Sequence, residues 1–356
     1  MTRRAAVELR VRVTGRRAAV GLCARARRPA GARGLATGVA LAVFLACGAS
    51  RAPAQAVGES RGAVFLTLPS GARALSLGEA WSAAADDESA LFYNPAQLAL
   101  VRGASAGGSL QRYVASTTLG AFAAAVPLAR GTVAIGVQLL DYGSEEEIVP
   151  AAGSLSQQGE LTGGRVSAQD LALTAGYGAA FGAARAWRLG AAVKLAHQRV
   201  ADASGSAVAG DVGVAYTAAN GWAVAAALQH VGSRLTLAAV GAPLPWTWRA
   251  AAASPVVRRE RFTGRAMAEA RRSSGGLAAG VLAAEGTWRP ARGGAVLAGR
   301  AGYALRGSGD DRSPLTLGGG VMLGRIAVDY AYEGFALLGG ATHRVGVRFA
   351  APPRGQ

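Results

Sequence analysis

Three histidines are the first candidates for catalysis or metal binding in this chain: His197, His230 and His343. They stand in separate stretches of sequence, and none has the H-E-x-x-H spacing that brings two imidazoles to one zinc ion. Both cysteines, Cys23 and Cys47, lie within the first 54 residues. We therefore predict no metal site and no cofactor, since no P-loop or dinucleotide fingerprint is present in a suitable context.

Two further patterns resemble catalytic constellations. Residues 103–107 read G-A-S-A-G, but a nucleophile elbow requires a strand–turn–helix context, and this stretch is flanked by strand-like alternation. Asp329 and Glu333 share one face of a predicted strand and could act as an acid pair, although inward charges are ordinary in a water-filled barrel. We predict no catalytic residue and no enzyme, with a barrel-embedded hydrolase as the least favoured alternative.

The elements that carry these residues alternate with period two. In the stretches 187–196 and 326–333, large apolar side chains alternate with small or charged ones. A tilted strand needs 9–11 residues to span a membrane, and the apolar face of a membrane barrel points outward. The predicted lumen-facing residues are Arg188, Lys194, Asp329 and Glu333. The predicted lipid-facing residues are Leu189, Val193, Val328 and Tyr330.

Thirteen such segments can be counted in the sequence. They lie near 104–114, 117–127, 131–142, 166–180, 186–200, 206–217, 220–232, 244–254, 276–288, 294–305, 314–323, 325–334 and 342–349. A barrel with both termini on one side needs an even number of strands, so we expect one more within 255–275. The predicted fold is an all-β, transmembrane antiparallel barrel of about 14 strands. A soluble β-sandwich or a lipocalin-like barrel is the alternative, because alternation alone does not tell which face is buried.

The N-terminal region has the features of a secretory signal. Residues 1–34 carry ten arginines, residues 35–49 are apolar or small, and A-x-A sites follow at 52–56. We predict a signal peptide over residues 1–54 and a mature protein in the outer membrane of a diderm bacterium. The apolar run is too short for a membrane anchor, and the residues before Cys47 form a poor lipobox.

Removal of this leader changes the charge of the chain. The full sequence has a formal net charge of +17, and without residues 1–54 it retains 27 basic and 20 acidic residues, a net charge of +7. The basic character therefore belongs largely to the leader, and we predict no nucleic-acid partner. Two charged stretches, acidic 143–163 and basic 255–275, are expected to be loops that form a solvated rim or, alternatively, a docking surface.

Residues 62–101 stand apart from the alternating segments. Pro95 fixes its own φ and disfavours a helical Asn94, so Asn94 is expected to cap a short helix that begins at Pro95, accepting from a backbone N–H near Gln97. Gly71 and Gly78 are expected to allow tight bends. The segment can thus fold compactly enough to occupy a barrel mouth, either as a gate or as a purely structural plug.

This stretch closely resembles the N-terminal signature of the PorV/PorQ family, and it is similar to the wider FadL-like superfamily of outer-membrane barrels. The matching positions are Gly71, Ala72, Arg73, Gly78, Asp86, Asp87, Asn94, Pro95 and Ala96. The resemblance implies an N-terminal plug or hatch over residues 55–103 with an Asn-Pro-Ala motif. A barrel over 104–349 and a tail over 350–356 would follow.

The resemblance also implies a function. A PorV/PorQ protein would be a non-catalytic barrel that assists the export or surface delivery of proteins, as in type IX secretion. Its partners would then be outer-membrane lipid, secreted cargo and components of the secretion system. The alternative is a FadL-like channel, whose ligand would be a hydrophobic small molecule.

Overall fold

The computed structural model describes residues 61–112, 117–150, 159–307, 310–335 and 340–352. The predicted signal peptide and its cleavage site lie outside the described residues. Within these ranges, no helix has both the length and the apolar character needed to cross a bilayer.

Strands account for most of the described chain. Their bounds are β1 Ser105–Arg112, β2 Thr118–Leu128, β3 Gly131–Pro150, β4 Gly159–Phe181, β5 Trp187–Val200, β6 Ala203–Thr217, β7 Ala223–Gly232, β8 Arg234–Leu237, β9 Val240–Pro243, β10 Thr247–Ala253, β11 Val257–Arg259, β12 Phe262–Ser273, β13 Ala278–Trp288, β14 Ala295–Arg306, β15 Arg312–Leu323, β16 Ile326–Phe335 and β17 Ala341–Ala350. Fourteen of them form the predicted barrel. Antiparallel neighbours run from β1 to β7, then β10, then β12 to β17, and the pairing of β17 with β1 closes the ring.

The barrel has two dissimilar ends. The turn end, where β1 begins and β17 finishes, has short connections such as the one between Leu323 and Ile326. The loop end carries the small β8–β9 hairpin and the long β3–β4 ribbon. Short turns on the periplasmic side and longer loops outside are typical of outer-membrane barrels.

The strand missing from the sequence count is β12, which lies inside the interval 255–275 where it was expected. It pairs with β10 and with β13 over most of its length. The prediction that this basic stretch is a loop is therefore wrong for residues 262–273. The arginines in β12 hid its alternation, because a buried arginine looks like a loop residue when its partners are unknown.

The prediction of an acidic loop over residues 143–163 is also wrong in part. β3 continues to Pro150 and pairs with the beginning of β4, so Glu145–Glu147 lie on a strand. β2 pairs with β3 only as far as Asp141. The outer part of these two strands is therefore a ribbon that projects beyond the neighbouring strands.

Residues 61–103, called here the inner segment, run through the barrel interior from the loop end to the turn end. The N–H of Gly62 donates to the carbonyl of Pro243 in β9 at 3.1 Å, and the segment continues into β1 at Ser105. Its helices are short: the 3-10 helix η1 Val64–Thr67, α1 Ala72–Leu75, α2 Ala90–Tyr93 and the 3-10 helix η2 Pro95–Leu100. One more 3-10 turn, η3 Ala183–Arg185, connects β4 to β5.

The apolar side chains of the inner segment supply much of the interior core. Those that are at most 1% exposed include Leu75, Leu77, Trp81, Leu91, Tyr93 and Leu98. The barrel wall faces them with alanine and glycine. Burial of these large side chains, at roughly 25 cal/mol per Å² of apolar surface, is the main force that holds the segment in place.

Candidate functional site

The interior side chains follow the alternation of the strands. Arg188, Lys194, Asp329 and Glu333 are 3%, 1%, 6% and 1% exposed. Their predicted lipid-facing neighbours Leu189, Val193, Val328 and Tyr330 are 42–54% exposed. The structure therefore places the side chains of all four charged residues on the buried face of the wall.

These four residues do not form one site. Lys194, the sole lysine of the chain, donates to Asp211 at 2.7 Å and to Nδ1 of His230 at 3.1 Å. Arg188 donates to the hydroxyl of Thr217 at 2.8 Å. Each charge has its own local partners, which the spacing along a single strand does not reveal.

The possible acid pair is separated by its partners. Asp329 accepts from Arg300 at 2.7 Å, whereas Glu333 accepts from Arg306 at 3.2 Å. The other catalytic candidates are not brought together either: His197, which is half-buried, and His343, which is exposed, lie on the outer face, where they contact Ser206 and Tyr330. Ser105 of the G-x-S-x-G stretch begins strand β1 and does not lie on a strand-to-helix turn.

Arg73 of the inner segment is the centre of a partly buried ionic network. Its guanidinium donates to both carboxylate oxygens of Glu285 in β13 at 2.9 Å, and to Asp86 and Asp87 at 2.8 and 3.1 Å. It also lies 4.4 Å from the ring centroid of Trp81. A bidentate pair of this kind fixes both distance and orientation, so Arg73 attaches the segment firmly to β13.

The network continues along the wall. Arg300 donates to Glu285 at 2.8 Å and to Asp329 at 2.7 Å. Arg348 in β17 then joins Asp329, at 3.7 Å, to Asp87 of the inner segment, at 3.0 Å. Four barrel side chains and two from the inner segment thus share one alternating chain of charges.

A second ionic cluster surrounds Glu79, which is 2% exposed. Arg249, Arg271 and Arg312 lie 3.5, 3.7 and 3.4 Å from its carboxylate. Burial by itself would raise the pKa of Glu79, but these three guanidinium groups outweigh burial and lower it. Glu79 therefore stays ionised inside the barrel.

Glu269 in β12 links this cluster to the inner segment. Its carboxylate accepts from the backbone N–H groups of Trp81 and Ser82 at 3.0 and 2.9 Å, and from Arg249 at 2.7 Å. Arg271 on the same strand donates to the carbonyl of Gly78 at 2.9 Å. Gly78 has a φ of +60°, so the predicted bend at this position is present.

The opposite wall of the barrel makes contact without charge. A Cβ at Gly190 would lie 2.3 Å from the carbonyl carbon of Pro95, and one at Gly178 would lie 2.3 Å from its oxygen. At Gly213 a Cβ would lie 1.9 Å from Oδ1 of Asn94. These three glycines of β4, β5 and β6 let the Asn-Pro motif approach the wall backbone directly.

Asn94 has the capping role that the sequence predicts. Its Oδ1 accepts from the N–H of Ala96 at 3.0 Å, one residue before the expected Gln97. Its Nδ2 donates to the carbonyl of Ser82 at 3.2 Å and lies 3.4 Å from that of Val214 in β6. The motif therefore caps η2 and connects it to the wall.

The expectation for Gly71 is wrong. Its φ of −154° is extended backbone that any residue adopts, and a Cβ there would meet nothing within 4 Å. Gly71 begins α1 without a conformational need for glycine.

Glu88 lines a cavity of about 50 Å³ between the inner segment and strands β1, β2 and β17. The residue is 4% exposed, and its Oε2 has no hydrogen-bond partner among the described residues. Burial, together with the charge of Asp87, raises the pKa of the Glu88 carboxyl to about 7 in spite of the nearby Arg348. This is the one inner-segment carboxyl whose pKa is brought near neutral pH.

An apolar cluster occupies the loop end of the interior. It joins η1 to the β8–β9 hairpin and to the inner face of strands β2 to β6. Its larger members are Phe65, Leu66, Leu119, Leu140, Leu235 and Leu244. Leu119 and Leu140 are paired across β2 and β3, so the mouth of the barrel has a hydrophobic wall beneath the hairpin.

Many of these interior residues were missed in the sequence, among them Glu79, Arg249, Glu269, Glu285, Arg300 and Arg344. A signal was present for Arg249, Glu285 and Arg300, each of which is a single charge next to alanine or glycine in a predicted strand. An isolated charge at an inward position of a predicted strand marks the lumen, but its partner depends on which strands become neighbours.

No protein-family model and no curated protein sequence matches this chain. Its structure is similar to that of the toluene transporter TodX from P. putida, with a TM-score of 0.52, 12% identity, and coverage of 80% of this chain and 99% of that one. The toluene transporter TbuX of Ralstonia pickettii is similar with a TM-score of 0.52 and 15% identity, over 81% of this chain and 100% of that one. The monoaromatic hydrocarbon channel CymD is similar with a TM-score of 0.53 and 11% identity, over 79% of this chain and 97% of that one. A Pseudomonas aeruginosa FadL homologue is also similar, at a TM-score of 0.50 and 11% identity, so the chain shares the barrel fold of these proteins.

Proposed function

We propose that this protein is an outer-membrane channel for hydrophobic small molecules, with the inner segment as its plug. The observation that carries the proposal is the FadL-like barrel, shared over about four-fifths of this chain with transporters of toluene and other monoaromatic hydrocarbons. The substrate class comes from those neighbours. Fold alone does not fix function, so the interior must supply independent support.

The apolar cluster at the loop end supplies it. Leu119 and Leu140 are 1% and 5% exposed and face Phe65, Leu66 and the β8–β9 hairpin inside the barrel. A hydrophobic solute that displaces η1 or the hairpin at the loop end would meet an apolar wall there. Transfer of apolar surface from water to such a wall is favourable.

The alternative function, assistance to protein export in the manner of PorV/PorQ, rests on the sequence resemblance. The matching residues Arg73, Asp86, Asp87 and Asn94 are engaged with one another, with the barrel wall or with the rest of the inner segment. The need to pack the segment in the barrel accounts for these residue types without any cargo. We therefore favour the channel.

Uptake of toluene by cells that lack their own hydrocarbon channel would test this proposal. Expression of the protein should accelerate toluene entry, and the double variant Leu119→Gln/Leu140→Gln should remove most of the gain. Leu119→Met/Leu140→Met keeps the apolar wall and should retain it. If the protein gives no gain in toluene uptake while its loss blocks the surface delivery of proteins, the secretion function is correct instead.

A further inference from the structure

The turn end of the barrel carries exposed arginines on nearly every connection. Arg130 lies between β2 and β3, Arg185 between β4 and β5, and Arg325 between β15 and β16. Arg289 and Arg292 both lie between β13 and β14. All five are exposed, and only the β6–β7 turn has no basic residue.

The remaining turn-end arginines complete the circle. Arg258, Arg259 and Arg261 lie on the β11 hairpin, and Arg102 directly precedes β1. Against these nine exposed arginines, the described turn-end connections contain one acidic residue, Glu260. None of the nine guanidinium groups has a hydrogen-bond or ion-pair partner within the part of the chain that the structure describes.

Exposed aromatic rings lie next to this circle on the lipid-facing side. Trp187, Phe262 and Trp288 are 46%, 47% and 49% exposed. Phe262 and Trp288 are directly paired across β12 and β13. Aromatic side chains of this kind mark the membrane–water boundary of a barrel, so the arginines lie at the depth of the lipid headgroups.

We propose that this turn-end ring binds the phosphate groups of anionic phospholipids in the periplasmic leaflet. A guanidinium forms paired, charge-assisted hydrogen bonds with phosphate oxygens, and none of these nine groups is bound by another described residue. The inference requires a barrel in the membrane but no channel activity, so it stands apart from the proposed function.

The distribution of the arginines favours lipid over a protein partner. A globular protein would dock on one side of the rim, whereas these charges are spread around the circumference, as the lipid annulus is. The loop end differs, because there Arg165, Arg199 and Arg272 are accompanied by the acidic Glu145–Glu147 and Asp202. Only the turn end has a charge of nearly one sign.

Lipid selectivity of the purified full-length barrel tests the proposal. Reconstituted into vesicles of phosphatidylethanolamine with 20–30 mol% phosphatidylglycerol (about one anionic lipid in four), the protein should retain phosphatidylglycerol preferentially in native mass spectrometry. Arg258→Gln/Arg259→Gln/Arg261→Gln should reduce this preference on the order of a hundredfold, since each of the three arginines near a charged membrane surface contributes about fivefold. The triple Lys variant at these positions should keep most of it.

The matched control removes three exposed arginines from the loop end, Arg112→Gln/Arg199→Gln/Arg272→Gln, and should leave the preference unchanged. An equal loss of phosphatidylglycerol preference in both triple variants would show that the preference depends only on net charge. That result would overturn the assignment to the turn end. An unchanged preference in the turn-end variant would also overturn it, and an acidic periplasmic protein would then be the partner that fits this ring. Because folded yield is compared for all variants, a misfolded protein is not mistaken for a loss of lipid binding.

Discussion

The two walls of the barrel hold the inner segment by different means. Strands β4 to β6 meet it with glycine, so that backbone lies against backbone at Pro95. Strands β10 and β12 to β17 also approach it closely at Gly302 and Gly318, but they add charged side chains that bind Arg73, Glu79 and Asp87. Strands β4 to β6, the glycine wall, leave no room for an added atom next to the Asn-Pro motif. Strands β10 and β12 to β17, the charged wall, hold the segment through ion pairs in which each charge has several partners.

The two kinds of contact respond differently when the inner segment is displaced. Contacts through glycine are short in range and lose most of their dispersion energy after a small displacement. Buried ion pairs act over a longer distance and leave a costly unpaired charge when they break. We therefore expect the segment to separate first from the glycine wall during any opening, while the charged wall retains it.

Loss of a carboxylate from the charged wall should have the largest effect. Glu269→Gln removes the charge that pairs with Arg249 and weakens the acceptor for two backbone N–H groups. Removing one partner of a buried pair costs about 3–5 kcal/mol. The free energy of unfolding in detergent, measured by denaturant titration, should fall by this amount, and the exposed Glu146→Gln should change little. A fall below about 1 kcal/mol would mean that Glu79 alone satisfies Arg249.

An added methyl group on the glycine wall should have a smaller but clear effect. Gly213→Ala places a Cβ 1.9 Å from Oδ1 of Asn94, and overpacking of this kind costs about 1–3 kcal/mol. Gly210→Ala lies on the same strand, where the nearest atom is 3.8 Å away, and serves as the control. Electrical conductance in planar bilayers should rise for Gly213→Ala only. Equal conductance in both variants would show that this wall does not hold the segment.

Substitution of the capping residue should cost somewhat less. Asn94→Ala loses the cap of η2 and should destabilise the inner segment by about 1 kcal/mol while the barrel still assembles. Asn94→Asp keeps the capping oxygen but places a carboxylate near the carbonyls of Ser82 and Val214, so it should be no better than alanine. Hydrogen exchange of the segment and folded-barrel yield would distinguish the two effects, and a variant that loses yield alone would contradict a local role.

The last expected effect is a pH dependence at Glu88. Its pKa is about 7 in the folded protein against an ordinary value of 4.5, so the folded state binds a proton that the unfolded chain has released. The free energy of unfolding should therefore fall as the pH rises from about 4.5 to 7, and this contribution should be constant above that range. Glu88→Gln should remove the slope, which denaturant midpoints at several pH values would measure. An unchanged slope would assign the dependence to another group.

Much of the fold could be predicted from local pattern. Alternation at Trp187–Ala196 fixes which side chains share a face, because successive residues of a strand point to opposite sides. The need for an even strand number located β12 even though its arginines hid the pattern. The Asn94-Pro95 cap is also local, since it depends on the φ of proline and one side-chain oxygen.

The partners of the interior charges were decided by tertiary structure alone. Glu285 binds Arg73, which lies 212 positions earlier in the sequence, and Arg300 of the next strand. No spacing in the sequence predicts that these three residues meet. Likewise Gly178, Gly190 and Gly213 are unremarkable in a glycine-rich chain until the barrel brings them around Pro95. The sequence by itself determined the barrel and the capped motif, because strand alternation and helix capping are local. Closure of the sheet decided which charges pair and which glycines leave room for the inner segment. Those contacts join residues that are far apart in sequence and become neighbours only in the closed barrel.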